Sequence, residues 1–138
     1  MSYICAGALG PGTLTVLVLS ADPAHAEAVS STVRGWPVAS AVVVAAAAQE
    51  GIGHALLRQP WLVVVDAEVD GFGGWAVARQ LLRVRPLIDV LVFDRLGAQD
   101  SRGTGRVRPW AELPQVLEHR LRRQLDGARD AAWHGSRP

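Results

Sequence analysis

The chain has 138 residues, of which 49% are hydrophobic and 20% charged, a balance that fits one globular domain with its own core and excludes a disordered chain. A net charge of +1 carries no basic surplus of the kind a nucleic-acid binder needs. There is no lysine, so chemistry that needs a lysine amine is excluded, and the single Cys5 excludes an internal disulfide or a multi-cysteine metal site.

Residues 1–12, with Gly7, Gly10, Pro11 and Gly12, read as a flexible leader. Thr13 to Ser20 is β-branched and aliphatic and predicts a first strand. Asp22-Pro23 follows as a helix N-cap with proline at the first helical position, and that helix runs to Arg34 and stops at Gly35. Ala39 to Val44 predicts a second strand. Ala46 to Arg58 predicts a second helix, weakened by Gly51 and Gly53. After Pro60 comes a continuous apolar run, Trp61 to Val65, closed by Asp66 and the glycine-rich turn Asp70 to Gly74; such a run reads as a buried strand.

Trp75, Ala78, Leu81 and Leu82 are at helical spacing in the segment Trp75 to Arg83, which Pro86 ends. Asp89 to Phe93 predicts a fourth strand, Asp94 to Gly105 is polar and glycine-rich, and Arg106 to Arg108 fits a very short fifth strand. A last helix starts near Pro114 with Val116, Leu117, Leu121 and Leu125 on one face, and residues 127–138 read as a flexible tail.

Strands alternating with helices imply βαβ units and a parallel sheet covered on both faces. The expected fold is a flavodoxin-like, doubly wound α/β domain of about five strands over residues 13–126. In such sheets ligands and chemistry sit at the C-terminal ends of the strands, which is where Asp66 falls.

Ala24-His25-Ala26 after an apolar stretch imitates a signal-peptidase site, but the first arginine is Arg34, so the charged beginning of a secretory signal is missing. The nearly apolar run Val38 to Ala48 is too short to span a bilayer. A cytoplasmic protein with no membrane partner is the expectation.

Four segments together resemble a response-regulator receiver domain of the CheY-like superfamily. Pro60 to Asp66 resembles the family's third strand, which ends in the phospho-accepting aspartate. Ala67 to Gly74 resembles the loop after it. Val16 to Pro23 resembles the first strand and its acidic turn, and Arg108-Pro109-Trp110 the Lys-Pro-Phe signature before the last helix. The resemblance implies a phosphorelay signalling domain of a two-component system, phosphorylated on Asp66 by a histidine kinase with Mg²⁺ bound, and no enzyme of its own.

The chain departs from that pattern where the chemistry lies. The two adjacent acids that hold Mg²⁺ in the family fall at Ser20 and Ala21, leaving Asp22, with Asp66, as a weak metal pair. The switch hydroxyl falls at Asp94, and the phosphate-contacting lysine at Arg108. Thirteen residues separate Asp94 from Arg108, too few for a full helix and a strand, so the fourth helix is expected to be shortened or missing.

The preferred expectation is therefore a degenerate pseudo-receiver without a cofactor. Its Asp66 is paired with Arg108, and it works by protein–protein contact with an unidentified partner or as a homodimer. The alternative is a functional receiver, and a further one is a small flavodoxin-like ligand-binding domain.

Other residues carry plainer readings. Asp22 reads as an N-cap before it reads as a metal ligand. Gly71, Gly73 and Gly74 match neither a Walker nor a dinucleotide spacing and read as a turn. His25, His54, His119 and His134 are scattered and suggest no cluster. Arg120, Arg122 and Arg123 read as a solvated helix face. Trp61 and Trp75 are expected to pack at sheet–helix junctions, and Trp36, Trp110 and Trp133 at loop or helix ends.

Overall fold

Valine and leucine runs without polar alternation form the middle of a sheet covered on both faces. The computed structural model describes residues 2–4, 13–69, 73–95 and 107–135, with 2–4 and 128–135 as backbone alone. The strands are β1 (Ser2–Ile4), β2 (Leu14–Leu19), β3 (Ser40–Ala45), β4 (Leu62–Asp66), β5 (Val90–Asp94) and β6 (Val107–Pro109). The helices are α1 (Pro23–Arg34), α2 (Ala48–Arg58), α3 (Gly74–Val84) and α4 (Leu113–Gly135), with a short 3-10 turn at Trp110–Glu112 before α4.

The sheet order is β1-β3-β2-β4-β5-β6. The five strands from β3 to β6 are parallel, in the doubly wound arrangement expected from the sequence. β1 is an addition: it pairs antiparallel with β3, Tyr3 opposite Val44. The segment read as a leader thus contributes a strand, because two or three residues are enough to pair with an open margin whatever the glycines after them. The last helix also continues through Gly127 to Gly135, since one glycine costs a helix only about 1 kcal/mol. The expected shortened or missing fourth helix concerns residues 96–106, which lie outside the described residues.

Alternate residues of each strand feed two cores. Leu17, Leu19, Val43, Val63, Val65 and Val92 pack against α2 and α3 through Ala48, Ala55, Val77, Ala78 and Leu81. Val16, Val18, Val42, Leu62, Val64 and Phe93 pack against α1 and α4 through Ala26, Val29, Val33, Leu113 and Leu117. Trp61 joins the second core, its ring edge-to-face with Trp36 at 5.8 Å, and its Nε1 donates to Gln124 Oε1 at 3.1 Å. Trp75 packs against the first.

Gly51 has a structural reason. A Cβ there would collide with the Leu19 side chain, so glycine lets α2 lie close to β2. Among the described residues, no helix is long and apolar enough to cross a membrane.

The Asp66 pocket as candidate functional site

β4 carries Asp66 to the C-terminal margin of the sheet, between β2 and β5, and leaves it buried at 6% exposure. A buried carboxylate needs hydrogen-bond partners, and three groups supply them. The backbone N–H of Glu68 donates to Oδ1 at 3.0 Å, closing a tight turn at the strand end. Ser20, just past β2, donates its hydroxyl to Oδ2 at 2.8 Å. His25, in the first turn of α1, places Nδ1 3.2 Å from the same Oδ2.

The elements fix each of these groups. Asp22 caps α1: its Oδ1 accepts from Ala24 N–H at 2.9 Å, and Pro23 takes the first helical position. That cap sets the first turn so that His25 faces the end of the neighbouring β4. Ser20 Oγ accepts from Asp22 N–H at 3.1 Å while donating to Asp66, so its hydroxyl is used both ways. Gly74 opens α3 against the turn after β4: a Cβ there would lie 2.7 Å from the Asp66 carbonyl oxygen and 2.8 Å from Ala67 Cα. Only glycine lets α3 start this close to Asp66.

The His25 ring is also stacked. Its centroid lies 3.9 Å from that of Trp110, with 12° between the planes. Trp110 in turn lies 5.2 Å from Phe93 at 29°. His25 Nε2 stands 3.8 Å from Asp22 Oδ2, beyond hydrogen-bond reach.

The expected pairing of Asp66 with Arg108 is not formed. Asp66, Phe93 and Arg108 share one row across β4, β5 and β6, which sets the two charged residues two strands, or about 10 Å, apart. The Phe93–Trp110 stack occupies that side of the sheet. Arg108 is 43% exposed and turns to Glu112, NH1 to Oε2 3.8 Å. The carboxylate is held by Ser20 and His25 instead.

Asp94 ends β5, one residue beyond the partner of Asp66, and is no hydrogen-bond partner of Asp66 among the described residues. Arg120 pairs with Asp89 and Arg122 with Glu118, the latter at 3.0 Å, so two arginines of the α4 face are ion-paired.

Mg²⁺ takes hard oxygen ligands, and the described residues around Asp66 do not present a ready set of them. Ala21 has no donor, one oxygen of Asp22 caps α1, and both oxygens of Asp66 are engaged within the chain. Among the described residues, no group of three or more His, Cys, Asp or Glu side chains is arranged to hold a metal ion.

His25 and Trp110 are the residues that the sequence reading missed. A usable signal exists for the first. Asp22-Pro23 fixes the helix start, three residues later a side chain overhangs the sheet margin, and the doubly wound order puts β4 beside β2. Trp110 gives no such signal, since stacking depends on the path of the chain after β6.

No protein-family model matches the sequence, and no curated protein sequence is significantly similar to it. Solved structures are similar in fold. A CheY-like response regulator receiver domain protein from Methanospirillum hungatei JF-1 aligns at 15% identity over 86% of this chain and 98% of that one, with a TM-score of 0.69. A putative response regulator from Chloroflexus aurantiacus J-10-fl aligns at 18% identity over 80% and 96%, TM-score 0.68. The chemotaxis protein CheY4 of Vibrio cholerae aligns at 16% identity over 80% and 98%, TM-score 0.65. The chain has the CheY-like receiver-domain fold.

Proposed function

We propose that the chain is a cytoplasmic, receiver-like signalling domain of the two-component type that acts through protein–protein contact. In this reading its Asp66 pocket is held by the chain's own side chains and not by metal and phosphate. The supporting observation is the engagement of both oxygens of the Asp66 carboxylate: Glu68 N–H on Oδ1, Ser20 and His25 on Oδ2. A phosphoryl group on Oδ2 would have to displace the Ser20 and His25 contacts. It would also do so without the cation that offsets charge on a transferring phosphoryl group. The domain is no enzyme in this reading, and its output runs through a protein partner.

Incubation with Mg²⁺ and acetyl phosphate, read by intact mass beside Asp66→Asn, tests this. The expected result is no mass gain in a folded protein. A gain of one phosphoryl group, absent in Asp66→Asn, would replace this reading with a receiver phosphorylated on Asp66 by a histidine kinase.

A further inference from the structure

The receiver fold does not require a ring over the phospho-acceptor position, yet this chain puts one there. Asp66 is nearly buried, and among the described residues His25 is the more exposed of the two side chains that contact its Oδ2: the His25 side chain is 21% exposed and that of Asp66 9%. Ser20, the other partner of Oδ2, lies inside at 3% exposure. The residues on the solvent side of His25, from Ala21 to Ala24, are all exposed.

The ring is supported by an aromatic neighbour. Trp110 stacks on its face at 3.9 Å, and Phe93, fully buried, backs Trp110. Trp110 belongs to the turn that leads into α4, so α1 and the start of α4 meet over Asp66 through these two rings. Offset and parallel ring contacts of this kind add attraction beyond area burial.

A second observation bears on whether the contact is permanent. Trp110 Nε1 is buried with no hydrogen-bond partner among the described residues. A buried indole N–H without a partner is an energetic cost of the stacked arrangement. Swinging His25 outward would break its contact with Asp66 while leaving the bond between Ser20 and Asp66 in place.

We propose that His25, backed by Trp110, is a lid on Asp66: an autoinhibitory contact that closes the carboxylate to reagents and opens by rotation of one side chain. This inference rests on the proposed reading of the Asp66 pocket as one held by the chain's own side chains. It assigns the control to the His25–Trp110 stack.

The test is the rate at which a water-soluble carbodiimide and glycine ethyl ester amidate Asp66, followed by peptide mass mapping of the intact, folded chain. Glu27, whose side chain is 64% exposed, serves as the internal reference in every sample. An open minor state populated at about 10% or less means that removing the ring should raise Asp66 labelling roughly tenfold or more in His25→Ala. Trp110→Leu keeps the imidazole and removes its support, so it should raise labelling by a smaller factor. Thermal melts confirm that each variant is folded, and should one fail to fold the other decides.

Unchanged Asp66 labelling in a folded variant, relative to Glu27, overturns the lid and leaves the phosphorylation-independent reading untouched. Conversely, phosphorylation of the unaltered chain by acetyl phosphate overturns that reading, while the labelling ratio between variants still reports on the lid.

Discussion

Ser20 Oγ donates to Asp66 Oδ2 across 2.8 Å, tying the C-terminal end of β2 to that of its neighbour β4. Both residues are buried, at 3% and 6% exposure. The bond therefore operates where water competes poorly, and its acceptor is a carboxylate.

Ser20→Ala should lower the unfolding free energy by about 2 kcal/mol, the scale of a hydrogen bond to a charged acceptor. Urea denaturation with an unchanged slope against denaturant checks this. A loss under about 0.5 kcal/mol would mean that His25 and Glu68 alone satisfy the carboxylate.

The two glycines of α2 should respond in opposite directions. Gly53 has nothing within 4 Å of an added Cβ, so Gly53→Ala should stabilise by about 0.5–1 kcal/mol through helix propensity. At Gly51 the added methyl meets Leu19, which is fully buried and cannot yield without repacking. Gly51→Ala should therefore cost about 1–3 kcal/mol. Paired denaturation curves decide, and equal shifts would show that α2 does not rest on β2 as described.

Arg120 on α4 pairs with both carboxylate oxygens of Asp89, just before β5, and both residues are partly buried. A double-mutant cycle with Arg120→Gln and Asp89→Asn should give a coupling of about 1 kcal/mol, the upper end for partly exposed pairs. The coupling should shrink as ionic strength is raised from about 0.01 to 1 M. A coupling that ignores salt would indicate a neutral hydrogen bond in place of an ion pair.

Glu27 gives a pH dependence with a definite sign. The Ser31 hydroxyl, at 3.0 Å, and then the Arg34 guanidinium, at 2.9 Å, hold its carboxyl below the usual value. A carboxyl depressed in the folded state adds stability above its unfolded-state pKa and loses it as pH falls through the folded-state one. Wild type should melt slightly above Glu27→Gln at pH 7, and the gap should close as pH falls through the folded-state value. A gap that widens on acidification would contradict the assignment. The group is largely exposed, so the effect is small.

The fold was legible because its determinants are local. Val63, Val64 and Val65 state a buried strand without help from distant residues, and Asp22-Pro23 states a helix start. The position of Asp66 at a strand end followed from the same run. The side-chain contacts of Asp66 were not legible, because they come from residues 41 and 46 positions away, on elements whose approach depends on packing. The pairing first expected for Arg108 failed for a reason no linear pattern carries, namely that Phe93 and Trp110 fill the row between the two charges. Gly51 was misread as a simple weakness because its benefit, room for Leu19, lies across the helix–sheet interface.

β3 runs Ser-Ala-Val-Val-Val-Ala, an uncharged segment without proline and rich in β-branched residues. Six residues of that kind, left with unpaired N–H and C=O groups at a sheet margin, form a template for stacking of identical chains. Ser2–Ile4 lies across Val43 to Ala45 and takes up that hydrogen-bonding face, while the opposite margin is only the three residues of β6, ended by Pro109. Pairing of three residues thus covers the second half of that margin, and removal of Ser2–Ile4 should raise the tendency of the chain to aggregate.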